Sequence, residues 1–160
     1  GLIVQTELAL CMAPAQALDT LASVAGHAHA LSMHGAALGA HLQAAWLGAR
    51  AGPDGVARAV QHAEAACAAD PATHALHTDA ALRWLAPAAA FAAAGDIGRA
   101  EALIEQGREW MVSVAKNGIP QEYVHTFLHQ HPIHLGLAGG LRGLAAALHP
   151  SHARPAVTPP

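Results

Sequence analysis

Apolar residues along this chain recur at intervals of three and four, the spacing of one helix face, and the polar and turn-forming residues fall between those runs. The pattern predicts a first helix over about Leu2 to Met12, with Leu2, Ile3, Leu8 and Cys11 on one side. Pro14 suits the first turn of a second helix, whose inner face is Leu18, Leu21 and Ala25 and which fades near Gly26. A third helix spans about Leu31 to Ala49, with Leu31, Leu38, Leu42 and Trp46 on one face, and a fourth runs from Gly55 to about Ala69, with Val56, Val60, Ala63 and Cys67 inward. Asp70-Pro71 is a break. A fifth helix is expected over Thr73 to Ala94, with Leu76, Leu82, Leu85 and Phe91 in the core and Pro87 as a point of kinking. A sixth covers Asp96 to about Lys116, with Ala100, Leu103, Ile104, Gly107, Met111 and Val114 buried, Asp96 as N-cap and Asn117-Gly118 as the stop. Pro120 opens a short helix to about His129, and Pro132 opens a last one ending near Leu148. No convincing alternation of period two is present.

The turns between these helices resemble one another. Ala51-Gly52-Pro53-Asp54-Gly55-Val56-Ala57-Arg58-Ala59 parallels Ala94-Gly95-Asp96-Ile97-Gly98-Arg99-Ala100, and Met12-Ala13-Pro14-Ala15-Gln16-Ala17 is a fainter copy. Small residues at such turns let paired helices sit close, and each pair has an apolar face that it buries only against the next pair. The expected fold is therefore all-α: a right-handed superhelix of about three stacked antiparallel helix pairs with C-terminal capping helices. It occupies residues 1–149, and residues 150–160, rich in Pro and without an apolar pattern, form a disordered tail. An irregular helical bundle is the alternative.

Composition agrees with helices. Of 160 residues, 42 are Ala, the strongest helix former, and only 12% are charged. The net charge of −3 and the scatter of 8 Lys and Arg leave no basic stripe, so direct nucleic-acid binding is not expected. No run resembles a membrane span. Cys11 and Cys67 match no metal or redox spacing and are expected to be buried thiols in a reducing cytoplasm. The chain begins Gly-Leu-Ile-Val-Gln without Met or a signal-peptide pattern, which reads as a fragment of a longer protein.

Two segments resemble a known family. Ala94-Gly95-Asp96 followed by Arg99-Ala100-Glu101-Ala102-Leu103 resembles tetratricopeptide-type repeats. Ile119-Pro120-Gln121-Glu122-Tyr123, followed by Phe127-Leu128-His129-Gln130-His131-Pro132-Ile133-His134, resembles the closing segment of large bacterial transcriptional activators and signalling ATPases. There the segment usually reads Phe-Leu-His-Arg-Asn-Pro-Val-Asn-Arg. Here Gln130 stands for the first Arg, His131 and His134 for the two Asn, and Leu135 for the last Arg. The resemblance implies a C-terminal helical-repeat domain of a cytoplasmic regulator and transfers no catalytic residue.

Thirteen His are the compositional anomaly. His125 and His129 are four apart, so both rings fall on one side of a helix, where two imidazoles can share zinc or nickel; His131 and His134 follow closely. These four are the metal candidates, although no carboxylate or thiol lies at a fixed nearby spacing to complete a set. His27, His34 and His41 recur every seven residues and would share a stripe of one continuous helix, about 10 Å apart along its axis, lining a groove rather than one ion. His74 and His77 could pair across a turn, whereas His149 and His152 lie in the tail.

Trp46, Trp84 and Trp110 either pack between helices or line a groove that anchors a partner or effector, with Arg83 and Arg108 as polar neighbours. Tyr123 and Phe127 are expected to dock the short helix, and Glu101 and Glu105 to form a solvated face. No phosphate-binding loop, nucleophile elbow or triad pattern appears, so neither a cofactor nor an enzymatic activity is expected. The expected function is a non-enzymatic sensor or interaction domain that binds a protein partner, another copy of itself or a small effector. A His-rich metal-binding module and a ligand-free scaffold are the alternatives.

Overall fold

The computed structural model describes residues 1–76 and 78–148, except for the side chain of Ile3. Among these residues every regular element is a helix: α1 (Leu2–Ala9), α2 (Pro14–Ala30), α3 (His34–Gly48), α4 (Pro53–Cys67), α5 (Leu82–Ala93), α6 (Ile97–Asn117), α7 (Gln121–His129), α8 (Pro132–Ala138) and α9 (Gly140–Leu148). From α1 to α6 each helix packs on the one before it, α4 meeting α5 across the longer connection; α3 also packs on α5, and α8 and α9 close over α6.

Two helices are central because their sequences are apolar all round. α3 turns Leu38, Leu42 and Ala45 toward a large core shared with α4, α5, α6, α8 and α9, and turns Ala40 and Ala44 toward a smaller core with α1 and α2. α5 buries the unbroken run Leu85 to Phe91, and Pro87 sits inside this run without ending the helix. The Ala-rich composition explains the close approach: Ala45, Ala59, Ala63, Ala86, Ala89, Ala90 and Ala100 are all fully buried. At the edges, Arg58 pairs with Asp19 at 2.8 Å, and Arg99 sits 3.7 Å over the Phe91 ring while reaching Glu64 at 3.3 Å.

The turns at Gly52 and Gly95, alike in sequence, also share a backbone feature. Both glycines adopt left-handed backbone, φ 82° and 85°, which side-chain-bearing residues rarely accept. Asp96 caps α6 as expected, accepting the Arg99 N–H at 3.2 Å.

Several boundaries differ from the sequence reading. α1 stops at Ala9 rather than Met12, and α2 continues through Gly26 to Ala30. The presumed continuous stripe of His27, His34 and His41 is broken: Ser32 takes φ 55° between α2 and α3, so Leu31 is solvent-facing and His27 lies on a different helix from His34 and His41. The fifth helix starts at Leu82, not Thr73. Polar side chains hold the preceding segment in turns instead: Asp70 accepts from the Ala72 N–H and Asp79 from the Ala81 N–H, each at 2.8 Å. Leu76 is consequently exposed. The last helix divides at Gly139-Gly140, where Gly140 has φ 62°. Cys11 and Cys67 are exposed rather than buried, since Cys11 lies in the turn beyond α1 and Cys67 is the last residue of α4. Leu8 is also exposed, with Val4 and Leu10. Residues 150–160, His77, His149 and His152 lie outside the described residues.

Candidate functional site

The segment from Ala68 to Ala81 is the least regular part of the described chain, and it lies over α3. Its backbone meets α3 at two small residues. The Leu76 N–H donates to the Gly35 carbonyl at 3.0 Å, and a Cβ added at Gly39 would lie 2.5 Å from the Leu76 carbonyl oxygen. Arg83, from the first turn of α5, ties the same segment down from the other side. Its guanidinium donates to the carbonyls of Thr73 at 2.7 Å, Asp70 at 3.1 Å and Ala69 at 3.4 Å. It thereby takes up carbonyls at the end of α4 and in the turn beyond it, and no carboxylate within ion-pair distance neutralises it among the described residues.

Beneath this segment lies a cleft of about 600 Å³, walled by Leu38, Arg83, Trp84, Leu103, Gln106 and Trp110. Trp84 of α5 and Trp110 of α6 stack with ring centroids 4.8 Å apart. Both are half-buried, each with part of its ring against the core. Thr78 also lines the cleft, and its hydroxyl is shielded from water without a hydrogen-bond partner among the described residues. Of the five residues expected at a groove, Arg83, Trp84 and Trp110 therefore converge. Trp46 packs against the core from α3, outside the cleft wall. Arg108 points elsewhere, donating to the Ala138 carbonyl at 2.9 Å and meeting Glu105 at 3.4 Å. Glu101 and Glu105 are exposed as expected.

The histidines form three groups. His29, His34, His41 and His62 gather where α2, α3 and α4 meet, with His41 and His62 Nδ1 atoms 2.9 Å apart and the His29 ring 5.7 Å from His41. A smaller cleft of about 370 Å³ opens beside His29, His34 and His41. Burial, then the nearby His62 and His29, lowers the His41 pKa to about 4, and burial followed by Arg58 lowers that of His62. His125 and His129 do share one side of α7, ring centroids 5.0 Å apart, and both are exposed.

His131 and His134 separate from that pair and meet Asp79 instead. His131 Nε2 lies 3.5 Å and His134 Nε2 3.7 Å from the Asp79 carboxylate. This carboxylate was invisible to spacing because it arrives from the irregular segment before α5. Only its Asx-type pattern, Asp79 two residues before Ala81, hinted that it was held in place. Phe127 docks α7 as expected, its ring 4.3 Å from His134 and 6.3 Å from Trp110, whereas Tyr123 is largely exposed and docks nothing. His74 stands on the cleft wall in the irregular segment.

No helix among the described residues is long and apolar enough to cross a membrane. Comparison with protein-family models, curated proteins and solved structures finds no match for this chain.

Proposed function

We propose that this chain is a non-enzymatic sensor domain that takes a small planar organic anion between the irregular segment and α5–α6. The observation that carries the reading is the Trp84–Trp110 stack beside Arg83, a cation without a carboxylate partner among the described residues, on the wall of one cleft. A volume of about 600 Å³ is within the range of small-molecule sites, and such sites pair apolar aromatic walls with a few fixed polar groups. The indoles offer a flat face, and the guanidinium offers charge and two N–H bonds not used by the backbone.

The superhelical reading belongs to the same proposal. The neighbour-to-neighbour packing of α1 to α6, the contacts two helices apart and the like turns at Gly52 and Gly95 support it. A role inside a bacterial transcriptional regulator, passing ligand or partner binding to other modules, rests on the resemblance of Gly95–Leu103 and Ile119–His134 alone.

Calorimetric titration with 2-naphthoate and with 2-naphthamide tests the cleft. One saturable site is expected for the acid, at least tenfold weaker for the amide and at least tenfold weaker in Trp110→Leu. Arg108→Gln, outside the cleft, leaves the affinity unchanged. Absence of saturable binding of the acid, or equal binding by Trp110→Leu, overturns the proposal and leaves the scaffold reading.

A further inference from the structure

The corner where α7 turns into α8 faces the N-terminal end of α5, and three side chains with metal-ligating atoms meet there. His131 is the N-cap residue of α8, His134 is its third residue, and Asp79 precedes α5. One ligating atom from each lies within 4.8 Å of the other two. A tetrahedral zinc ion with bonds of about 2.0–2.1 Å holds its ligand atoms roughly 3.3 Å apart. His131 Nε2 lies 3.5 Å from Asp79 Oδ2 and His134 Nε2 lies 3.7 Å from Oδ1, so each imidazole meets its own carboxylate oxygen at close to that value.

The hydrogen bonding around the group sharpens the assignment. His134 Nδ1 lies 2.6 Å from the Phe127 carbonyl oxygen. A carbonyl only accepts, so Nδ1 carries the hydrogen, and in the neutral ring Nε2 presents its lone pair. That lone pair faces the Asp79 Oδ1 atom. Two electron-rich atoms face each other across a gap lined by a ring that is nearly fully buried, an arrangement that calls for a positive charge between them. A proton on Nε2 supplies one; a divalent ion, reached also by His131 Nε2, supplies a larger one. A histidine ligand whose other nitrogen donates to a backbone carbonyl is the usual outer support of a zinc site, fixing tautomer and ring orientation. Asp79 is likewise pre-set, since Oδ1 also accepts the Ala81 N–H at 2.8 Å. His131, with 44% of its side chain exposed, leaves an access path for the ion, while His134 at 6% forms the inner wall.

We infer that Asp79, His131 and His134 form a divalent-metal site of the zinc class, two imidazole nitrogens and the Asp79 carboxylate, with the remaining position open to water. The ion joins the irregular segment over the cleft to the α7–α8 corner. The inference does not rest on the anion proposal: its ligand atoms are distinct from the Arg83, Trp84 and Trp110 wall, although the His134 ring packs edge-on against Trp110 with centroids 6.3 Å apart.

The test is zinc titration of chelator-stripped, untagged full-length chain against a chromophoric chelator, with elemental analysis of the washed protein. The exposed pair His125 and His129 is first removed as H125A/H129A, which eliminates its surface binding. One zinc per chain is expected to remain in that variant. His131→Ala, at an exposed position, is expected to weaken it at least a hundredfold, and Asp79→Asn, whose side-chain oxygen still accepts the Ala81 N–H, to abolish it. Circular dichroism shows that these variants are folded. Zinc binding that disappears with H125A/H129A, or that is unchanged in both His131→Ala and Asp79→Asn, overturns the inference and leaves a protonated His134–Asp79 pair.

Discussion

Acid should weaken this fold through one half-buried contact, His41 against His62. The two Nδ1 atoms are 2.9 Å apart, so one ring donates and the other accepts, and burial of each ring favours its neutral form. Protonating either leaves two donors, or a cation, facing a neighbour in a partly desolvated seam. The pKa of His41 accordingly falls from 6.5 to about 4 in the folded chain. A depressed folded pKa means that the unfolded chain binds the proton more readily between those values. Stability is therefore full above about pH 6.5 and declines as pH falls toward 4. For a fully shielded ring, the step from pH 7 to pH 5 would remove roughly 1.8 kcal/mol. His41 is partly open to water, and screening reduces this to ~1 kcal/mol, with His62 acting in the same direction. Urea unfolding of chelator-treated protein at the two pH values measures the loss. His41→Gln, which has no proton to gain, should be less stable at pH 7 and should lose about half the pH dependence or more. An equal drop in wild type and His41→Gln would refute the assignment, as would a wild-type chain equally stable at both pH values.

Glycine substitutions read the close contact between the irregular segment and α3. Gly39→Ala places a methyl 2.5 Å from the Leu76 carbonyl oxygen and should destabilise by about 1–3 kcal/mol in urea unfolding. Gly26→Ala, inside α2 with nothing within 4 Å, should stabilise by ~0.5–1 kcal/mol. Leu85→Ala, fully buried in α5, should remove about 3–4 kcal/mol in thermal or urea unfolding. Leu85 also touches α8 at Gly136, so hydrogen exchange in α8 should accelerate in that variant more than in α2.

Helix positions were legible where the chain follows an uninterrupted apolar stripe. α4 and α6 fall within a residue or two of their expected starts because Pro53 and Asp96 are strong local signals and Ala59, Ala63, Ala100 and Ile104 keep helical spacing. The expectation of a fifth helix from Thr73 rests on Leu76, read with Leu82, Leu85 and Phe91 as one core face. Propensity lost there to side chains: Asp70, Asp79 and Arg83 bind backbone groups that a helix would have used. Half of the cleft was visible for a related reason. Arg83 and Trp84 are sequence neighbours, Gly107 of the paired helix lies against Trp84, and Trp110 follows one turn later on the same face, so antiparallel pairing brings the indoles together. Trp46 and Arg108 share the same chemistry, but Trp46 packs on the core from α3 and Arg108 leaves α6 on another face toward the Ala138 carbonyl, which only the packing of α3 and α8 determines.

The histidines make the complementary point. Spacing within one element found His125 and His129, which are adjacent and exposed, and it could not find Asp79, which joins His131 and His134 from a distant segment. The same break that stops the fifth helix at Leu82 is what frees Asp79 to turn toward α8 and lets the Leu76 backbone settle on Gly35 and Gly39. A regular helix from Thr73 would have satisfied its own backbone, left Arg83 without carbonyl partners and covered the cleft. The irregular segment is thus the cause of both candidate sites. A variant that restores helical propensity there, such as Asp79→Ala, should weaken zinc and naphthoate binding together, whereas Asp79→Asn, which keeps the turn, should weaken zinc binding alone.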